Sequence, residues 1–134
     1  MAKGPSRIAS AAKMFEPYLE RAVGHLARLG QTSGIEGEVI VPETAAKLRA
    51  THELRVVFLI RPTATPAVLV DSRGPHPWLQ GAPPGLVAAV AAEVVSWSNQ
   101  LQPACERLGI PCFDVGNDFD RALGSAADAL GVNE

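Results

Sequence analysis

Glu53-Leu54-Arg55-Val56-Val57-Phe58-Leu59-Ile60-Arg61-Pro62 is the stretch on which the reading of the fold turns. From Val56 to Ile60 every residue is apolar and most are β-branched or aromatic, the pattern of a strand buried on both faces. A strand with one wet face would alternate, and this one does not. Arg61 and Pro62 then place a cation at the strand's carboxyl end, followed by a residue that cannot continue a ladder. Open α/β sheets bind their ligands at the carboxyl ends of their strands, which makes Arg61 the first candidate to touch an anion.

Upstream, residues 16–29 carry Leu19, Val23, Leu26 and Leu29 at helical spacing, with Pro17 suited to a first turn and Gly30 to a left-handed stop. Residues 1–15 read either as a frayed start or as the end of a helix whose beginning is absent. Gly34 and Gly37 punctuate the apolar segment from Thr32 to Pro42, which reads as one interrupted strand or as a short strand and a loop, and residues 44–50 read as a short helix behind Pro42. Downstream, residues 62–85 form a Pro-rich, lid-like insert holding six of the chain's eleven prolines. Ala67-Val68-Leu69-Val70 reads as a short edge strand within it, and Ser72-Arg73-Gly74-Pro75-His76-Pro77-Trp78 as its tip. A long helix follows through Leu86, Val90, Val94, Trp97 and Leu101, with Pro103 either kinking it or opening a second helix that ends at Leu108-Gly109. Ile110-Pro111-Cys112-Phe113-Asp114 reads as a strand, and Asn117 or Asp118 as the cap of a last helix over residues 119–130. The alternation predicts a single α/β domain over residues 1–134, a three-layer parallel sheet with helices on both faces.

Composition bounds the function. The chain has 134 residues, 47% of them hydrophobic and 19% charged, with a formal charge of −2. That is one domain's length and a globular composition. It gives no electrostatic reason to expect nucleic acid or an anionic membrane as a partner. The start carries no apolar core of signal-peptide type, so the cytoplasm is the expected compartment. Cys105 and Cys112 have no accompanying histidine pair and read as buried or partly buried structural thiols, not zinc ligands. His25, His52 and His76 are dispersed and make no ligand spacing, so no metal site is expected from them.

The succession of a helix, Ile35-Glu36-Gly37, Pro42, a second helix, Arg55-Val56-Val57-Phe58-Leu59, a loop, a long helix, Gly109-Ile110-Pro111, Phe113-Asp114-Val115 and a last helix resembles the second half of a P-loop kinase of small molecules or nucleotides. The resemblance implies a P-loop NTPase-like sheet, incomplete here. It also implies Glu36 as the catalytic carboxylate, orienting a substrate hydroxyl or the water shell of Mg²⁺. Gly37, Arg61 and Arg73 would then line the substrate side, the arginines offering planar donors to phosphate oxygens. Asp114, Val115 and Gly116 would form the loop along the adenine of ATP.

The family's phosphate cradle, G-x-x-x-x-G-K-[ST], occurs nowhere in the chain, and Gly4-Pro5-Ser6 supplies neither its length nor its lysine. Phosphoryl transfer is mostly positioning and charge stabilisation, so a chain without the cradle is expected to be inactive alone. ATP and Mg²⁺ are expected only if a phosphate-binding segment completes the site. The competing expectation is a non-catalytic binding or interaction module that forms a homo-oligomer through its sheet edge.

Overall fold

The computed structural model describes residues 7–71 and 79–132. The chain divides into two compact units, Met1–Val56 and Val57–Glu134.

The first unit is helical. Helix α1 (Arg7–Leu29) and helix α2 (Pro42–Arg49) meet through Leu19 and Val23, one turn apart on α1, and Leu48 of α2. Ile40 and Leu54 pack against this small core. Pro42 opens α2, where its fixed φ suits the first turn and its missing N–H costs nothing. Lys47 Nζ lies 2.8 Å from Glu20 Oε1 and 3.6 Å from Glu16 Oε1, a surface stitch between the two helices. The buried Thr44 hydroxyl donates to Glu16 Oε1 at 3.4 Å.

The second unit holds the sheet. Strands β1 (Phe58–Ile60) and β2 (Cys112–Asp114) pair in parallel, with Phe58 opposite Cys112, Leu59 opposite Phe113 and Ile60 opposite Asp114. Between them run the short helix α3 (Pro66–Val70) and the long helix α4 (Pro84–Leu108), and helix α5 (Phe119–Leu130) follows β2. A parallel pair needs such a crossover, and α4 packs on both strands to provide it. Helix α4 ends at Gly109, whose φ of +65° is the left-handed conformation that a side chain disfavours. There Gly109 N–H donates to the Glu106 carbonyl at 3.3 Å, and Ile110 N–H to the Cys105 carbonyl at 2.9 Å. These two bonds are the Schellman ending, which satisfies carbonyls the helix leaves orphaned. Asp118 caps α5 by accepting from Arg121 N–H at 3.0 Å.

The three-layer parallel sheet expected from the sequence is not formed. The described residues are 61% helical and contain two three-residue strands. Residues 31–41 adopt no regular strand. Ile35 and its glycine-flanked neighbours are exposed, and Ile40 instead covers the α1–α2 core. Ala67–Val70 is helical, because Thr65 caps α3 with its hydroxyl, accepting from Val68 N–H at 3.3 Å, and Pro66 fills the first turn. The central strand is shorter than the apolar run and is not buried on both faces, since Phe58 and Ile60 are buried while Leu59 is 45% exposed. Helix α1 is already formed at Arg7, so Pro17 lies inside it and not in its first turn. Pro103 likewise lies within an uninterrupted α4.

Candidate functional site

The two strands end level with one another, and this decides where polar groups gather. Ile60 and Asp114 are paired, and Val115 N–H carries the ladder one step further by donating to the Ile60 carbonyl at 2.9 Å. Arg61 leaves β1 with its N–H donated to the hydroxyl of the buried Ser98 on α4, at 2.9 Å. A turn follows in which Ala64 N–H donates back to the Arg61 carbonyl at 3.2 Å. Pro62 stands at its second position, where a fixed φ suits it. On the β2 side, Gly116 N–H donates to Asp114 Oδ1 at 2.8 Å, an aspartate turn that folds the chain over its own strand end.

The two turns meet at Gly116. A Cβ placed there would lie 2.8 Å from Thr63 Oγ1, 3.0 Å from Asp114 Oδ1 and 3.7 Å from Arg61 Cγ. A side chain at 116 would therefore have to displace the Thr63 hydroxyl or the Asp114 carboxylate, a constraint of closeness and not of backbone angle. The site so assembled is the half-buried Arg61, whose Cγ approaches Gly116, with the hydroxyl of the exposed Thr63, the exposed carboxylate of Asp114 and the backbone of Gly116. Val115 is buried beneath it and anchors the turn. An open groove of about 740 Å³ runs from Ala64 and Pro66 along Ala88, Ala92 and Val95 to Asn99.

Of the residues singled out in the sequence, Arg61, Asp114, Val115 and Gly116 are thus brought together at the carboxyl ends of the two strands. Glu36 and Gly37 belong to the first unit, exposed in a segment without regular structure. Arg73 and His76 lie outside the described residues. Thr63 and Ser98 were missed. Ser98 sits among the apolar positions of α4, and a buried serine on an otherwise apolar helix face is the signal that could have found it.

Chemically, the group offers planar donors, a hydroxyl and a carboxylate with one oxygen already engaged by Gly116. It contains no histidine, cysteine or lysine to act as base or nucleophile near neutral pH. Among the described residues no three or more His, Cys, Asp or Glu side chains are gathered in a way that could hold a metal ion. Among them, too, no helix is long and apolar enough to cross a membrane. Comparison with protein-family models, curated proteins and solved structures finds no match to this chain.

Proposed function

We propose that this chain is a binding module for a small phosphorylated or otherwise anionic ligand, held at the carboxyl ends of β1 and β2. The observation that carries the reading is the convergence of Arg61, Thr63, Asp114 and Gly116 on one spot where two parallel strands end together. Ligand sites in parallel sheets favour that end, where loops from separate strands present side chains to a common crevice. Arg61 supplies bidentate donors for the anion, Thr63 a further donor, and the outer oxygen of Asp114 an acceptor for a ligand hydroxyl or amine. The reading keeps the ligand-binding side of the kinase resemblance. It leaves out the transfer step, for which the sequence holds no phosphate cradle.

The test is a thermal-shift and calorimetric screen of inorganic phosphate, AMP, ATP and sugar phosphates against the intact chain and its Arg61→Ala variant. Binding by at least one compound is expected, weakened about 10- to 100-fold by loss of the charge-assisted bonds. If no compound binds, or if Arg61→Ala binds as well as the parent, the reading is wrong.

A second reading has its own observation. The ladder uses alternate residues, Phe58 and Ile60 on β1, so the backbone groups of Leu59 face the other edge, and its side chain is 45% exposed. Such an edge suits pairing with a second copy. Light scattering across a range of concentrations would then show a dimer that Leu59→Lys abolishes. A monomer at every concentration would dispose of this second reading and leave the first untouched.

A further inference from the structure

Helix α1 divides its charge between two sides. Its carboxylates, Glu16 and Glu20, face α2, where Lys47 lies 3.6 Å from the first and 2.8 Å from the second. Leu19 and Val23 are likewise turned to Leu48 of α2. Arg7, Met14, Arg21 and Arg28 stand seven residues apart, close to two helical turns, so they share one line along a different side. All four are exposed, as are Tyr18, Ala22, His25 and Leu29 beside them. Met14 is 76% exposed and Tyr18 65%, and the Tyr18 ring stacks on that of Phe15 with centroids 6.4 Å apart. This side of α1 is therefore apolar and aromatic, and every formally charged side chain on it is an arginine. The charge of −2 is a sum over the chain and hides this segregation.

We propose that α1 lies along the surface of an anionic phospholipid bilayer, with Met14, Phe15, Tyr18 and Leu29 in the boundary between headgroups and acyl chains and Arg7, Arg21 and Arg28 on the lipid phosphates. The helix lies in the plane of the surface and is not apolar enough to cross it. The apolar side chains gain by leaving water, and each arginine adds attraction to the negative headgroups. The Tyr18 ring suits a boundary that is apolar on one side and wet on the other. The arginine stems lie along the apolar stripe while their guanidinium groups reach the phosphates. Leu19 and Val23, on another side of the helix, keep their packing on α2.

The charge pattern chooses this occupant over two others. A second copy would set two arginine-bearing faces together with no carboxylate on either to answer them. A folded partner is held in register by polar contacts around an apolar centre, and this face offers neither an amide nor a carboxylate to fix one. A bilayer asks for no register, only apolar area bordered by cations. The surface belongs to the first unit, so the inference stands apart from the strand-end ligand site.

The experiment sediments the intact chain with vesicles of equal parts phosphatidylglycerol and phosphatidylcholine, and with vesicles of phosphatidylcholine alone. Sedimentation with the first and not the second is expected, weakening as salt rises from about 0.1 M to about 1 M. Arg21→Gln and Arg28→Gln should each weaken binding about fivefold. Tyr18→Glu combined with Met14→Glu should weaken it at least about tenfold. All four positions are exposed, so each variant should keep the parent's circular dichroism and melting temperature. Equal binding to both vesicles, binding indifferent to salt, or arginine variants that bind like the parent would each overturn the proposal. No sedimentation with either vesicle would also overturn it and leave the face to an acidic protein. A dimer in light scattering that Tyr18→Glu abolishes would overturn it in favour of a second copy.

Discussion

Residues 7–56 and residues 57–132 draw on similar aliphatic side chains but are fastened in different ways. The first region rests on side-chain contact, with Leu19, Val23 and Leu48 at its centre and the Lys47 stitch on its surface. The start of α2 has no side-chain cap. The second region adds backbone hydrogen bonds between segments distant in sequence, hydroxyl and carboxylate caps at Thr65 and Asp118, and Schellman endings on α4 and α5. The difference explains where polar groups converge. Ladder pairing fixes the ends of two remote segments to within a hydrogen bond of one another, so Arg61 and Gly116 become neighbours. No such device fixes the segment carrying Glu36 and Gly37, and those residues stand exposed.

The largest effect that tests this contrast comes from truncating one buried side chain in each region. Leu48→Ala and Ile60→Ala each remove a nearly fully buried side chain, for a loss of about 3 kcal/mol from transfer and cavity together. Hydrogen exchange read residue by residue would distinguish them. Leu48→Ala should strip protection from amides of α1 and α2 while those of the β1–β2 ladder keep theirs, and Ile60→Ala should do the reverse. Simultaneous loss in both regions from either variant would show that they open as one cooperative body, and the contrast between them would fail.

A smaller effect separates the helix endings. Gly30 and Gly109 both have φ near +65°, and neither has an obstacle to a Cβ, so any cost of alanine is backbone strain alone. Gly109→Ala should cost about 1 kcal/mol in denaturant unfolding, because its two Schellman bonds and the strand beyond hold the turn in place. Gly30 has a single bond to the Ala27 carbonyl and is followed by irregular chain, so the helix end can shift to relieve the strain. Gly30→Ala should cost less than half as much. Equal costs would show that residue 30 is held as firmly as residue 109.

The same contrast governs what could be read from the sequence. The parts legible in advance are those with local signals. Asp118 followed by an apolar helical period placed α5 at Phe119–Leu130, and Leu108-Gly109 placed the end of α4. Arg61 was legible as a cation at a strand's carboxyl end, and Asp114 as the last residue of a second strand. What failed was the inference from an apolar run to a strand. A β-branched run forms a strand only if another strand is there to bond it. Residues 35–41 have none, so their aliphatic side chains are spent on covering helices or left in solvent. At α3 the local signal was present and outvoted, since Thr65-Pro66 is a helix start while Ala67-Val68-Leu69-Val70 looks like a strand. Thr63 had no signal. A hydroxyl on a turn gains meaning only from the strand that ends opposite it.

The smallest expected effect tests whether the surface stitch matters to the first region at all. Lys47 is exposed, and its amino group is held above the ordinary value of 10.5, first by the hydrogen bond it donates to Glu20 and then by the charges of Glu20 and Glu16. A cation whose folded pKa is raised contributes stability that is fully present below the unfolded pKa and is lost as pH rises through the folded one. Lys47→Met should therefore lower the melting temperature slightly and by a constant amount from about pH 7 to 9, with the gap closing above about pH 10.5. The gap should also shrink in molar salt, since exposed pairs are screened. A deficit that survives both alkaline pH and salt would mean that the lysine acts through its methylene stem lying along the helices. The first region would then be held by apolar contact at its surface as well as in its core, and the stitch would be no electrostatic device.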